Sequence, residues 1–191
     1  MIYIESIQGK SPKTTDEYFY DLRTFYRFLK VYFHKIDVDT DLDELPIDDV
    51  DLEMLRAVDL KVLYEYMHYL NRIRGNSATS RARKVASLKS FYKYLYSKAN
   101  LIDDNPTAEL ESVKTTKQLP KHFTLEDSIA LLESVEARNA ARDYCILTLF
   151  LNCGLRLAEL VSINITDIHG DTLVVIGKGN NERTIYLNEA C

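Results

Sequence analysis

No stretch of this chain approaches the roughly 18 consecutive apolar residues that a membrane-spanning helix needs. The N-terminal MIYIESIQGK also lacks the basic-then-apolar order of a secretory signal. Cysteine is scarce: Cys145, Cys153 and Cys191 make an odd count with no metal-ligand spacing. Cys145 falls inside an apolar helical run and is expected to be a reduced, buried thiol, which points to a cytoplasmic setting. The histidines His34, His68, His122 and His169 are scattered, without H-E-x-x-H or paired Cys/His spacing, so no metal site is expected. Gly177-Lys178-Gly179 lacks the G-x-x-x-x-G-K-[ST] spacing and following helix of a nucleotide-binding loop. What is present, 46% hydrophobic and 28% charged residues in a chain of 191, describes an ordered globular protein of one large or two small domains.

The net charge of −5 conceals a division. Residues 37–59 carry ten acids (Asp37, Asp39, Asp41, Asp43, Glu44, Asp48, Asp49, Asp51, Glu53, Asp59) against Arg56 alone. Residues 71–100 carry eight bases (Arg72, Arg74, Arg81, Arg83, Lys84, Lys89, Lys93, Lys98) and no acid. A phosphate backbone responds to the local potential of the surface it meets, so the acidic average does not exclude nucleic acid. A solvated basic helix would leave the same signature.

Thr14 followed by Glu17 has capping-box spacing, and Tyr18, Leu22, Phe25, Leu29 and Tyr32 recur at helical intervals, predicting a helix over 15–32. The acidic stretch 37–51 reads as a loop with short turns. Asp59 is placed to cap a helix through Leu63, Tyr66, Met67 and Leu70. Gly75-Asn76-Ser77 interrupts, and a further helix is predicted over 77–96. Asp103-Asp104-Asn105-Pro106 stops helical continuation, so a helical domain over 1–103 and a polar linker over 104–123 are expected. In the remainder, 124–191, Thr124 with Asp127 is a weaker capping box and an apolar helix covers 140–151. The period then changes from helix to strand. Thr172–Ile176 and Arg183–Leu187 flank Gly177-Lys178-Gly179-Asn180-Asn181, strong β-hairpin chemistry. A two-stranded hairpin is marginal by itself, and the second domain reads as cut short. The fold class is therefore mainly α: a bundle of four or five helices followed by an incomplete α+β domain with a β-hairpin.

On a helical wheel, Val85, Leu88, Phe91, Tyr92 and Leu95 share one side and are expected to face the core. Arg83, Lys89 and Lys93 lie opposite, among Ala82, Ala86, Ser87 and Ser90. Small residues let a helix backbone approach a surface, while long basic chains reach phosphates and base edges. A merely solvated face would more often carry Glu for i,i+4 pairs, and this helix has none. Arg81, Arg83, Lys84, Ser87, Lys89, Ser90 and Lys93 are the expected DNA contacts.

Gly154-Leu155-Arg156-Leu157-Ala158-Glu159-Leu160 puts a cation at a helix start. With Leu155, Leu157 and Leu160 packing inward, Arg156 is expected to be partly desolvated and to need an anion, either Glu159 one turn on or a bound phosphate. Taken alone, Arg156 and Glu159 read first as a structural pair, and Lys178 as an ordinary turn lysine.

Their conjunction says more. A G-L-R-x-x-E-L helix followed by a hairpin reading V-I-G-K-G-N-N-E-R-T-I-Y-L resembles the tyrosine recombinase/integrase family, especially its Xer-type and phage-integrase-like members. A helical domain with a basic helix, a linker and a second domain opening at L-P-K-H-F-T is similar too, so the resemblance covers essentially all 191 residues. It implies that Arg156 contacts the scissile phosphate, that Lys178 is the general acid protonating the leaving 5′ oxygen, and that Glu159 supports Arg156. It implies a core-binding role for residues 1–103, and the opening of a catalytic domain over 124–191. A fixed guanidinium suits the extra negative charge of the pentacovalent state, and a positioned acid is worth roughly 10²–10⁴ in rate. A tyrosine nucleophile stores the bond energy as a 3′-phosphotyrosine, so no cofactor is implied. The implied partners are double-stranded DNA and other recombinase subunits, as a tetramer on two duplexes, with no membrane.

The family pattern also calls for a later His-x-x-Arg, a further His or Trp, and a nucleophilic Tyr. After Lys178 this chain contains only Tyr186 and no histidine, and none of its thirteen tyrosines has a matching context. The expectation is DNA binding without cleavage by this stretch of chain. A non-catalytic or interfering DNA binder and a helical protein-interaction module stay open as alternatives.

Overall fold

The computed structural model describes residues 3–34, 42–116, 119–136, 138–177 and 179–191. The chain divides into two units, Met1–Lys117 and Gln118–Cys191.

In the first unit, helix α1 (Pro12–His34) starts earlier than Thr14 suggests. The Ser11 hydroxyl accepts from the Thr14 backbone N–H at 3.3 Å, and Pro12 occupies the first turn, where a missing N–H costs nothing. Asp51 caps the short α2 (Leu52–Arg56) by accepting from Met54 N–H. Asp59 caps α3 (Leu60–His68) by accepting from Val62 N–H, as its position implied. A π turn over Tyr69–Ile73 extends α3. Gly75, at φ +61°, then reverses the chain, and Ser77 caps α4 (Ala78–Ser97).

Much of the acidic stretch is structural. Besides the two caps, Asp49 meets the buried Lys30 at 2.7 Å, Asp43 meets Arg74 at 3.1 Å, and Glu53 meets Arg56 at 2.7 Å. Lys30 and Arg74 thus draw this segment down onto the bundle, while Glu53 and Arg56 pair within it. Asp37, Asp39 and Asp41 lie outside the described residues.

An aromatic triad centres the bundle core. The Phe25 ring stands edge-on to Tyr66 at 5.0 Å and to Tyr92 at 6.3 Å, all three fully buried. Val85, Leu88, Tyr92 and Leu95 bury the predicted inner face of α4, and Phe91 packs partly against it. The core continues past residue 103: Ile102, Thr107 and Leu110 are buried, and Arg56 donates to the Leu101 carbonyl from both Nε and Nη2. Residues that read as the start of a linker, because Asn105-Pro106 ends helix and the composition turns polar, are therefore packed into the first unit.

The second unit opens with α5 (Leu125–Glu133), where Thr124 and Asp127 cap each other's backbone N–H groups. Helix α6 (Ala140–Cys153) ends at Gly154 in the left-handed conformation, φ +56°, and α7 (Leu157–Val161) follows. The predicted hairpin is present: β2 (Thr172–Ile176) pairs antiparallel with β3 (Glu182–Tyr186). A two-residue strand β1 (Ile168–His169), too short to show a period, adds a third member in the order β1-β2-β3. Alternation along the hairpin turns Leu173, Val175 and Ile185 inward, where Leu155 joins them in a small core. That core leaves much apolar side chain outside. Cys145, expected to be buried, is exposed, and Leu157, expected to face inward, is 68% exposed. No described helix is long and apolar enough to cross a membrane.

Leu110→Ala is expected to cost about 2–5 kcal/mol, whereas Leu119→Ala, at a 91% exposed position, should change stability by less than about 0.5 kcal/mol. Urea unfolding midpoints separate the two.

Candidate functional site

Helix α4 presents fewer free cations than its sequence suggests. Asp21 of α1 is almost fully buried, and three of the expected DNA contacts converge on it. Lys84 Nζ lies 2.9 Å from Asp21 Oδ1 and Arg83 Nη1 2.9 Å from Oδ2, while the Ser87 hydroxyl donates to Oδ2 at 2.7 Å. Arg83 also meets Glu17 at 2.6 Å. Lys84 and Ser87 are buried, so neither is an outward contact in this structure. The acids absent from α4 itself come from α1, a pairing that no reading of one helix contains. Arg81 is likewise engaged: its guanidinium donates to the Asn71 side chain and, at 2.7 Å, to the Asn76 carbonyl, bracing the turn before α4.

What remains outward is the second half of the helix. Lys93 is exposed, Lys89 and Ser90 are half-buried, and Lys98, beyond the helix end, is exposed. No carboxylate pairs with these three lysines among the described residues. Ser90, Lys93 and Lys98 line a polar groove of about 270 Å³ together with Tyr3, Gln8, Tyr94 and Ser97. Arg83, half-exposed beside its carboxylates, completes the cationic side chains on this face.

In the second unit, the left-handed Gly154 turns the chain out of α6, Leu155 anchors in the small core, and Arg156 takes an extended conformation as the N-cap of α7. Glu159, three residues on, folds back over that helix start. Its Oε2 accepts from Arg156 N–H at 2.8 Å and its Oε1 from Arg156 Nη1 at 2.7 Å. The expected Arg156–Glu159 tether is therefore present, but the expected burial is reversed. Glu159 is 1% exposed, while the Arg156 side chain is 70% exposed. The hairpin explains this: Gly177 and the Arg183 side chain cover the Glu159 carboxylate, while the arginine tip stays outside.

A second arginine joins them. Arg183 Nη2 lies 2.8 Å from Glu159 Oε2, and its side chain is 43% exposed. Arg183 is not among the residues the motifs single out, though its strand position carries a signal. With period 2, Arg183 shares a strand face with the buried Ile185, and an arginine on a core-facing position needs a carboxylate. Gly177 is the fourth participant. A β-carbon there would stand 3.1 Å from Glu159 Oε1, and its N–H closes the turn onto the Asn181 carbonyl at 2.7 Å. Lys178 lies outside the described residues.

Two guanidinium groups thus share one carboxylate, leaving the trio with a net positive charge and unused N–H donors on the outer Arg156. Such a fixed cation can bind a phosphate through two parallel hydrogen bonds and stabilise charge that grows on it. The Arg156 backbone N–H, with help from the Arg183 side chain, holds the Glu159 carboxyl down at about 2, against an ordinary 4.5. No group of three or more His, Cys, Asp or Glu side chains suited to a metal occurs among the described residues.

Asp21→Ala strands the buried Lys84 without a counter-charge, and a loss of about 3–5 kcal/mol is expected by chemical denaturation. Because the Glu159 pKa is depressed, its contribution to stability is fully present above about 4.5 and is lost as pH falls toward about 2. Unfolding free energies measured across that window should fall in the wild type, and Glu159→Gln should remove that part of the pH dependence.

A family model for the phage integrase family matches residues 121–191. Over 189 residues the chain is 52% identical to tyrosine recombinase XerC of Caldanaerobacter subterraneus subsp. tengcongensis, covering 99% of this chain and 54% of that protein. Over 164 residues it is 36% identical to tyrosine recombinase XerD of Haemophilus influenzae, covering 83% of this chain and 53% of that protein. The chain spans about half the length of the curated relatives it matches. Among solved structures, a lambda integrase(75–356) dimer bound to a COC′ core site superposes with a TM-score of 0.69 at 17% identity, over 96% of this chain and 58% of that one. XerH recombinase bound to a palindromic difH substrate gives 0.58 at 21% identity, over 84% and 46%. These structural likenesses speak for the fold, and the sequence identities for descent. The chain belongs to the tyrosine recombinase family.

Proposed function

We propose that these residues form the DNA-clamping part and the opening of the catalytic part of a site-specific recombinase, which cuts and rejoins duplex DNA through a 3′-phosphotyrosine. The observation that carries this reading is the Glu159 carboxylate, buried under two arginines and holding the exposed Arg156 guanidinium at a helix start. In this reading Arg156 grips the scissile phosphate, Glu159 fixes its orientation, and Lys178, on the β2–β3 hairpin of the sequence, protonates the departing 5′ oxygen. The first unit is the core-binding domain. In this reading its packed part runs past residue 103 through Leu110, and the linker to the catalytic part follows. Duplex DNA and further recombinase subunits are the partners, in the cytoplasm. The relatives named XerC and XerD, and a lambda integrase tetramer on a Holliday junction with a TM-score of 0.57, support this assignment.

The family's His-x-x-Arg and nucleophilic tyrosine have no counterpart within these 191 residues, and the one tyrosine after Lys178, Tyr186, is 78% exposed on β3. The same reading therefore gives this stretch of chain DNA binding without strand cleavage.

Binding to duplex DNA should weaken steeply with salt. Lys89→Ala and Lys93→Ala should each lower affinity across all sequences and reduce the log–log salt slope by about 1. Arg83→Ala should do less, because Arg83 is already held by Glu17 and Asp21. Salt-insensitive binding would instead favour a protein-interaction module. In a cleavage-competent form, Arg156→Ala should abolish strand cleavage while leaving duplex affinity nearly unchanged. Loss of both together would reduce Arg156 and Glu159 to a structural pair.

A further inference from the structure

We infer that Arg183 is a positioning residue, which fixes the phosphate-gripping Arg156 through the carboxylate the two share. The inference rests on the reading of Arg156 given above and adds a residue to it.

Glu159 is tied to two different elements. The α7 start supplies Arg156 N–H and Nη1, while β3 supplies Arg183 Nη2. The two arginines hold opposite oxygens: Arg156 Nη1 takes Oε1 and Arg183 Nη2 takes Oε2. A carboxylate gripped only from its own helix start, by Arg156 N–H on Oε2 and Nη1 on Oε1, could shift with that helix start and carry the Arg156 tip with it. The Arg183 contact, from a second element, closes off that movement. Gly177 closes it from the other side, since its backbone stands where a β-carbon would be 3.1 Å from Oε1. Glu159 is thereby a joint between the α7 start and the β2–β3 hairpin, and it registers Arg156 against the hairpin whose sequence carries Lys178.

A structural filler would be expected to be covered, yet the Arg183 side chain is 43% exposed. Its Nη2 also reaches the Gly154 carbonyl, at 3.4 Å, where the chain leaves α6. The arginine thus touches both ends of the short segment that aims Arg156. The two N–H groups of that one planar nitrogen point in fixed directions, toward the carboxylate and the carbonyl, which a freely rotating lysine ammonium does with less directional control.

Two arms test this. In the 191-residue chain, carboxyl-carbon NMR follows the Glu159 titration, and arginine side-chain NMR follows hydrogen exchange at Arg156. Arg183→Gln should move the Glu159 midpoint up by about one pH unit or more and speed exchange at the Arg156 guanidinium. Arg183→Lys should restore the midpoint more fully than the exchange rate. An unchanged midpoint, or Arg156 exchange as in the wild type, overturns the inference.

In a cleavage-competent form, Arg183→Gln should slow single-turnover cleavage about tenfold at unchanged duplex affinity, with partial recovery in Arg183→Lys. It should add little on top of Arg156→Ala, because the two act in series. Equal losses of binding and cleavage would make Arg183 a direct DNA contact and sink the positioning role. If cleavage proves independent of Arg156, the proposed function falls, while the NMR arm still decides whether Arg183 holds Glu159. Should Arg183→Gln fail to fold, Arg183→Lys carries both arms, and wild-type exchange at Arg156 together with wild-type cleavage in it counts against the inference.

Discussion

A carboxylate taken out of water must be met by cations, and each unit of this chain is organised around one that is. In the first unit it is Asp21, beneath Lys84, Arg83 and Ser87. In the second it is Glu159, beneath Arg156 and Arg183. Hydrophobic contact brings the elements together, but it does not say how far one slides along another. A buried ion with fixed hydrogen bonds does say it, because every displaced partner leaves a charge uncompensated. Asp21 sets the register of α1 on α4, and Glu159 sets the aim of α7 against the hairpin.

The two clusters spend cationic charge differently. Around Asp21 the arginine and the lysine are largely consumed, and the surface that remains for an anion lies further along, at Lys89, Lys93 and Lys98. Around Glu159 the carboxylate is buried and the Arg156 guanidinium is left outside, so the same kind of pair becomes a mount for an exposed cation. Counting basic residues along a helix cannot separate these cases. Both acids are buried, so the separation lies in the cation: Lys84 is buried with Asp21, while Arg156 stays outside over Glu159.

This explains what was legible in the sequence. The inner face of α4, the Asp59 cap, the Thr124–Asp127 box and the hairpin turn all follow from contacts within a few residues, and all are present. The motif pair at Arg156 and Glu159 was also visible, because its partners are three residues apart. The rest was hidden for a shared reason. Asp21 and Lys84 are 63 residues apart, Arg183 and Glu159 are 24 apart, and Leu110 reaches its core from beyond a proline that reads as a stop. Periodicity carries no information about which distant element a face will meet. The start of α1 was missed on a local rule, since Pro12 in the first turn outweighs a capping-box spacing at Thr14.

The hairpin also has an outer margin. β3 lies at one end of the strand order, so its far side carries backbone groups that no described strand pairs. Long, flat, apolar edges recruit strands from other molecules; short edges with charge on them do not. β3 is five residues long and opens with Glu182 and Arg183. The arginine that steadies Glu159 therefore also puts charge at the start of that short edge.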